Sequence, residues 1–189
     1  MRKATRRKTV KRRAVDRRHQ AQTMPSVSCA VITVSDSRTP QDDFGGQYIR
    51  DALRAAGHEI HAYEIMRDEL TMITERLRQL IEDRSCMAVV LTGGTGLAPR
   101  DQTFEAVTLL LEKTLHGFGE LFRMLSFEQI GPLAMLSRAV AGVAGDTLIF
   151  SLPGAPAAVE LAMQELILPT LNHAVALIRG TAIDRGGGR

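Results

Sequence analysis

A short apolar run that leads directly into a glycine-rich turn constrains the fold of this chain most strongly. Residues 86–91 are all apolar, which predicts a strand buried on both faces, as in a parallel sheet. The turn at residues 92–96 reads Thr-Gly-Gly-Thr-Gly, and its glycines allow backbone N–H groups to come close to an anion. Asp101 lies in the same loop. A carboxylate beside phosphates is repulsive unless a cation lies between them, so we predict a nucleotide site that uses Mg²⁺.

Two common nucleotide-binding motifs do not match this turn. A P-loop ends in Gly-Lys-Ser/Thr, whereas residues 92–101 contain no lysine. A dinucleotide-binding fingerprint needs a glycine three residues after Gly96, where this chain has Pro99. The alternative is an ordinary strand-to-helix turn, with Asp101 as the N-cap of a helix that begins near Gln102. A single helix cap does not require three glycines and two threonines, which favours the phosphate site.

Strand and helix patterns alternate along the rest of the chain. Apolar runs predict strands at residues 27–34, 59–65, 86–91 and 147–152. Apolar residues at helical spacing predict helices at 46–56, 70–81, 104–111, 133–138 and 169–178, and further helices that begin near Phe118 and Pro156. In the helix near Phe118 we expect Leu121, Phe122 and Leu125 on the inner face. The alternation predicts an α/β fold in which helices cover both faces of a mostly parallel sheet.

Polar loops follow each predicted strand, at residues 35–39, 66–69, 92–101 and 153–156. The C-terminal ends of parallel strands lie on one edge of the sheet, where ligands bind in open α/β folds. We therefore expect the carboxylates of Asp68 and Asp101 to face the donors of the glycine loop. Taken alone, Asp68 could equally be a turn or helix-capping residue. Arg38, Arg100, Arg123 and Arg138 are candidate phosphate contacts, although each could instead be structural.

The charge of the chain is unevenly distributed. Residues 1–24 hold ten Lys or Arg and one acid, whereas the remainder holds 14 bases and 20 acids. We expect residues 1–24 to form a disordered basic tail, 25–180 to form one domain and 181–189 to form a flexible C-terminal tail. The basic tail could bind nucleic acid weakly or be a functionless extension, and Met24 could be the natural start.

The lack of a long apolar run and of a signal-peptide pattern predicts a cytoplasmic protein, and the two cysteines indicate no special chemistry. No apolar run approaches the length of a membrane helix, and the N-terminus lacks the apolar segment of a signal peptide, so we expect no membrane association. Cys29 and Cys86 both lie in predicted buried strands and are expected to be small core residues. Two cysteines provide neither a disulfide framework nor a metal-ligand spacing.

Four motifs in a fixed order resemble a known family. They are TGGTGLAPRD at 92–101, GFGELFRMLSFEQIG at 117–131, SRAVAG at 137–142 and SLPGAP at 151–156. Together they resemble the MoaB/MogA family of molybdenum-cofactor biosynthesis proteins, or molybdopterin adenylyltransferases, over residues 27–179. The resemblance implies a three-layer αβα sandwich that assembles as a trimer or hexamer. It also implies transfer of AMP from Mg-ATP to molybdopterin with release of pyrophosphate, and contact with other proteins of the same pathway.

The resemblance implies roles for residues that match the motifs. Asp68 and Asp101 match the acids linked in the family to catalysis and to Mg²⁺. The substrate- or nucleotide-binding residues that it implies are Ser35, Asp36, Asp43, Thr92, Gly93, Gly94, Thr95, Gly96, Pro153 and Gly154.

One segment departs from the family pattern. Residues 43–46 read Asp-Phe-Gly-Gly, where a common form is Asp-Thr-Ser-Gly, so two hydroxyl groups are missing. If those hydroxyls contact substrate, affinity falls; if they cap the helix, Asp43 can cap it instead. An alternative function is therefore a non-catalytic molybdopterin-binding or scaffold protein. Retention of both Asp68 and Asp101 favours the enzyme.

Overall fold

The computed structural model describes residues 24–180, which form a six-stranded mixed sheet. The strands are β1 (Ser28–Val34), β2 (Glu59–Met66), β3 (Ala88–Thr92), β4 (Lys113–Thr114), β5 (Val140–Ala144) and β6 (Thr147–Leu152). Their order across the sheet is β2-β1-β3-β6-β5-β4. Neighbours from β2 to β6 pair in parallel, whereas β5 is antiparallel to both β6 and β4. Of the predicted tails, residues 1–23 and 181–189 lie outside the described residues.

Helices cover both faces of the sheet. They are α1 (Phe44–Ala55), α2 (Leu70–Glu82), α3 (Thr103–Thr108), α4 (His116–Ile130), a 3₁₀ helix (Gly131–Leu136), α5 (Pro156–Ala162), a π-helical turn (Met163–Ile167) and α6 (Leu168–Ile178). One core cluster packs α1, α4, α5 and α6 against the sheet, and a second packs α2 and α3 against the other face. The predicted three-layer αβα sandwich is therefore confirmed.

Strand β1 shows why the sheet needs two helical layers. Its side chains point alternately to opposite faces, so Cys29 and Val31 enter the first core cluster while Ala30 and Ile32 enter the second. All four are at most 1% exposed. Burial of a side chain such as Val31 on one face or Ile32 on the other favours folding by about 1.5–3 kcal/mol, so neither face can be left open to water.

The second half of the chain departs from the prediction in two places. Strands β4 and β5 were not expected, and they make this side of the sheet antiparallel. Residues 145 and 146 join β5 to β6 as a tight hairpin, with Gly145 at φ 55°. The inner face of α4 was also wrong in part, because Leu121 is 47% exposed, whereas Phe118 and Phe122 are buried. Leu121 lies next to the buried stripe that contains Phe118 and Phe122, so its apolar side chain was assigned to the wrong face of the helix.

The segment Pro156–Ile178 forms a continuous helical stretch of 23 residues. By length and composition it is apolar enough to cross a membrane, contrary to the expectation that no run approaches that length. Val159, Met163 and Leu171 are fully buried in the first core cluster, and the π-helical turn interrupts the regular spacing in the middle. The stretch is thus a helix of the protein core.

Candidate active site

The predicted site loops converge on one edge of the sheet. Strands β1, β2, β3 and β6 run in parallel, so their C-terminal ends lie together. The Ser35 N–H donates to the Met66 carbonyl at 2.8 Å, which joins the loops after β1 and β2. The Thr92 hydroxyl donates to the Pro153 carbonyl at 3.1 Å, which joins the loops after β3 and β6. Convergence of these loops follows from the parallel pairing, as predicted.

Two positions in the glycine loop accept no other residue without strain. Gly93 has φ 101° and Gly94 has φ 63°, in the left-handed region that L side chains rarely adopt. A Cβ on Gly93 would collide with the Val34 carbonyl oxygen, and one on Gly94 would collide with the Thr103 hydroxyl and the Asp68 carboxylate. The loop is therefore pressed against the end of β1 and against Asp68.

The backbone of this loop offers unused hydrogen-bond donors. The Gly93 N–H donates to the Leu152 carbonyl at 3.0 Å. Within residues 24–180, the N–H groups from Gly94 to Leu97 make no hydrogen bond. Consecutive free N–H groups in a glycine-rich turn form a concave site for an anion, which fits a phosphate group.

Three carboxylates line a small cavity beside these donors. Asp36, Asp68 and Asp101 border a space of about 190 Å³, together with Ser35, Ser37, Val34, Gly94 and Arg100. The Asp68 N–H lies 3.4 Å from Asp36 Oδ1, so the loops after β1 and β2 are in contact here. Burial raises the pKa of Asp68, and the charges of Asp101 and Asp36 raise it further, although hydrogen bonds from Gln102 and Thr103 act in the opposite direction.

This donor set fits Mg²⁺ bound together with phosphates. Among residues 24–180, no group of three or more His, Cys, Asp or Glu side chains could by itself hold a metal ion. Mg²⁺ commonly takes one or two carboxylates and fills its remaining positions with water and phosphate oxygens. Burial is the main cause of the raised pKa of Asp68 and repulsion from Asp101 and Asp36 adds to it; a bound cation would favour the ionised carboxylate against both.

The capping roles differ from those considered in the sequence. Asp101 is not the N-cap of α3; that residue is Gln102, and the Asp101 carboxylate accepts from the Ala98 N–H at 2.9 Å within the loop. Asp68 Oδ1 instead accepts from the Gln102 N–H at 3.0 Å and from the Thr103 hydroxyl at 3.4 Å. Asp68 thus binds the start of α3 from another loop, a contact between distant residues that local spacing cannot reveal.

Asp43 serves as a buried cap. It is the N-cap of α1 and accepts from the Gly46 N–H at 2.9 Å through Oδ1. Its Oδ2 accepts from the Thr33 hydroxyl at 2.6 Å and the Tyr63 hydroxyl at 2.7 Å. Both carboxylate oxygens therefore accept hydrogen bonds from the protein itself, so Asp43 has a structural role at the border of the site. The two hydroxyl groups missing at residues 44 and 45 could have contacted substrate or capped the helix. The structure shows that Asp43 caps this helix without them.

Two larger cavities adjoin the glycine loop and share Gly93 and Gly154. One, of about 260 Å³, is bordered by Arg38, Phe44 and Gly45. The other, of about 400 Å³, has a more apolar wall that includes Phe122, Ile130, Leu133 and Pro153. At Gly154 a Cβ would lie 3.4 Å from Gly93 Cα, so the two loops are in close contact. Both cavities therefore border the glycine loop, where a ligand pocket is expected at the C-terminal ends of the strands.

The four candidate arginines separate into two groups. Arg38 and Arg100 border cavities at the loop. Arg123 and Arg138 instead border a separate cavity of about 460 Å³ on the far side of Ser137. Arg138 also binds the backbone of the glycine loop. The sequence analysis named Arg138 as a candidate phosphate contact and missed this role, because its partners lie more than 40 residues earlier in the chain.

Comparison with known proteins identifies the family. Residues 30–173 match the sequence family described as "Probable molybdopterin binding domain". The chain is 52% identical over 153 residues to molybdenum cofactor biosynthesis protein B of Staphylococcus carnosus (strain TM300), covering 79% of this chain and 89% of that protein. The chain belongs to the MoaB/MogA family of molybdenum-cofactor biosynthesis proteins, and its similarity is to the MoaB type.

Solved structures of MoaB/MogA proteins share the fold. A crystal structure of a molybdenum cofactor biosynthesis protein B matches with a TM-score of 0.80 at 43% identity, covering 83% of this chain and 99% of that one. The molybdopterin biosynthesis enzyme MoaB of Thermus thermophilus matches with a TM-score of 0.72 at 39% identity, covering 83% and 98%. The predicted family is therefore confirmed.

Proposed function

We propose that this MoaB-type protein adenylylates molybdopterin in a Mg-ATP-dependent reaction of molybdenum-cofactor biosynthesis. The observation that carries the proposal is the meeting of free loop N–H groups with Asp68 and Asp101 at one edge of the sheet. This arrangement suits phosphoryl chemistry because it combines anion donors with carboxylates for a cation. The match to a family described as a probable molybdopterin binding domain supports molybdopterin as the second substrate.

The proposed reaction requires positioning more than covalent participation of the protein. An oxygen of the pterin's terminal phosphate attacks the α-phosphorus of ATP, the bond from that phosphorus to the bridging oxygen breaks, and pyrophosphate leaves. Mg²⁺, held by Asp68 and Asp101, would draw charge from the phosphate oxygens. The N–H groups of residues 94–97 would bind phosphate oxygens, and Ser35 and Asp36 would border the same pocket. Thr92 and Pro153 would keep the two neighbouring loops together.

The direct test is pyrophosphate release with ATP, Mg²⁺ and molybdopterin. We expect Asp68→Asn and Asp101→Asn each to lower turnover by about 100-fold or more, the scale for loss of a charge-stabilising group. Asp51→Asn is a matched control, since Asp51 is an exposed aspartate on α1 with 76% of its side chain accessible. Full turnover in the Asp101 variant would rule out the proposed role of that carboxylate.

The alternative function is a non-catalytic molybdopterin-binding or scaffold protein. One observation favours it, because Phe44 and Gly45 border the cavity of about 260 Å³ at positions where family members commonly carry two hydroxyls. The two functions differ in one measurement. Pterin binding without pyrophosphate release, by a protein that also binds ATP weakly, would favour the scaffold.

We also propose that the protein assembles as a homo-oligomer, a trimer or hexamer, in the cytoplasm. Large apolar side chains are exposed along α4 and the 3₁₀ helix; they are Leu121, Met124, Phe127, Ile130, Leu133, Met135 and Leu136. Contiguous exposed apolar surface of this kind is typical of subunit interfaces. Sedimentation of the wild type and of Phe127→Glu would test this, because an unchanged sedimentation coefficient in the variant would place the interface elsewhere.

A further inference from the structure

The side chain of Arg138 binds backbone carbonyl groups of the glycine loop. Its Nε donates to the Thr95 carbonyl at 3.2 Å, and its Nη2 donates to the carbonyls of Gly96 and Asp101, the latter at 3.3 Å. The other terminal nitrogen pairs with Glu105 on α3. The guanidinium carbon also lies 4.8 Å from the centre of the Phe104 ring. One planar cation therefore connects the middle and the C-terminal end of the loop to the helix that follows it.

These contacts determine the direction of the neighbouring N–H groups. In a trans peptide the carbonyl of one residue and the N–H of the next point to opposite sides. No cis peptide occurs among the described residues. When the carbonyls of Thr95 and Gly96 turn toward Arg138, the N–H groups of Gly96 and Leu97 must turn away from it. The third peptide shows the same geometry, because the Asp101 carbonyl faces Arg138 while the Gln102 N–H donates to Asp68.

The guanidinium of Arg138 acts from behind the loop. Arg138 does not border any of the three cavities that adjoin the glycine loop. It borders a different cavity, with Phe104 and Arg123. A bound phosphate at the loop N–H groups would therefore be separated from this cation by the loop backbone.

We propose that Arg138 is a positioning residue, which holds the N–H groups of Gly96 and Leu97 and the Asp101 backbone in the geometry that binds Mg-phosphate. The identity of the ligand rests on the proposed function, whereas the effect on the loop does not. Glu105 and Phe104 keep the guanidinium in place. Arg138 thus differs from Arg38 and Arg100, which border the cavities that adjoin the glycine loop.

Arg179 provides a matched control. Its two terminal nitrogens donate to the carbonyls of Arg84 at 2.8 Å and Cys86 at 3.0 Å. These carbonyls lie just before β3, at the opposite edge of the sheet from the glycine loop. Arg179→Ala removes a guanidinium from backbone carbonyls, as Arg138→Ala does, and it changes the net charge equally. It should lower the melting temperature without altering the loop.

The first readout is amide hydrogen exchange in the ligand-free protein. We expect exchange at Gln102 and Thr103 to be at least about tenfold faster in Arg138→Ala, since both N–H groups are bonded only while the loop keeps its shape. Arg179→Ala should leave these two amides unchanged. Equal exchange at Gln102 in the wild type and in Arg138→Ala would overturn the proposal, whatever reaction the protein catalyses.

The second readout is pyrophosphate release, measured well below the melting temperature of every variant. We expect kcat/KM for Mg-ATP to fall about 100-fold in Arg138→Ala and to stay within about twofold of the wild type in Arg179→Ala. Arg138→Lys keeps the charge but not the planar fork, so it should remain at least about tenfold below the wild type. A fully active lysine variant would show that charge alone suffices and would overturn the positioning role. If the wild type releases no pyrophosphate, the proposed function fails, while the exchange measurement still decides the role of Arg138.

Discussion

The close contact between Gly94 and Asp68 can be tested by a pair of alanine substitutions. Gly94 and Gly57 both have left-handed backbone angles, φ 63° and φ 84°. A Cβ on Gly94 would collide with the Thr103 hydroxyl and the Asp68 carboxylate, whereas a Cβ on Gly57 would have no atom within 4 Å. The two variants therefore share the backbone strain and differ in the steric clash.

The magnitudes follow from the contacts that each variant loses. A left-handed alanine costs about 1–2 kcal/mol, and this is the whole expected effect of Gly57→Ala. In Gly94→Ala the carboxylate must also move away from the Gln102 N–H at 3.0 Å and the Thr103 hydroxyl at 3.4 Å. Loss of one charge-assisted hydrogen bond and one long one adds about 2 kcal/mol. We therefore expect Gly94→Ala to lower the free energy of unfolding by about 3–4 kcal/mol.

The assay is urea unfolding of both variants beside the wild type, followed by pyrophosphate release at a temperature where all three are folded. Gly57→Ala should retain full turnover, because Gly57 lies after α1, at the other edge of the sheet. Gly94→Ala should lose turnover as well as stability, since the clash displaces a proposed Mg²⁺ ligand. Equal losses of stability in the two variants would refute the inferred clash and the placement of Asp68 against the loop.

Three further predictions concern the same edge of the sheet. Asp68→Asn should raise the melting temperature of the ligand-free protein at pH 7. The folded-state pKa of Asp68 is raised by burial and by nearby acids, so its ionised form lowers stability above the unfolded pKa. The gain should be small, because solvent screens a partly exposed carboxylate, and should vanish below that pKa; a lower melting temperature at pH 7 would contradict it. Asp43→Ala should lower the free energy of unfolding by about 3 kcal/mol, about 1 from the lost cap and about 2 from the buried Thr33 hydroxyl left without its acceptor, and urea unfolding would show it. Gly45→Ser should be accommodated, since a Cβ there would lie 3.7 Å from Thr92 Cγ2. A hydroxyl that contacts substrate should lower KM for Mg-ATP roughly threefold, the effect of one weak hydrogen bond. An unchanged KM would show that the hydroxyl makes no substrate contact.

The sequence predicted those parts of the fold and site that depend on local pattern. Strand β6 was expected at its observed bounds, and β1, β2 and β3 within two residues of theirs. Each has an apolar run with a clear end. Once these four strands were parallel, their loops had to share an edge, which brought Asp68 near Asp101 without any knowledge of side-chain contacts.

The parts that the sequence missed depend on contacts between distant residues. Strand β5 reads Val-Ala-Gly-Val-Ala, too short and too rich in small residues for a strong strand pattern, and its pairing with β6 is what makes it a strand. The cap at α3 comes from Asp68, 34 residues before Gln102 in the chain. Arg138 lies 43 residues after Thr95. Spacing rules for helix caps and turns extend over a few residues, so they cannot detect such partners.

The features that suit this edge to phosphates also burden the ligand-free protein. Asp68 is partly desolvated beside two other acids, and consecutive loop N–H groups have no partner among residues 24–180. A cation between the carboxylates would reduce their repulsion, and phosphate oxygens would accept hydrogen bonds from the loop N–H groups. Such a ligand stabilises the folded state by mass action, by about 2.7 kcal/mol at a concentration 100 times its Kd. Asp68→Asn should therefore raise the stability of the ligand-free protein and weaken its stabilisation by Mg-ATP. Arg179→Ala, whose contacts lie at the opposite edge, should lower the former and leave the latter unchanged.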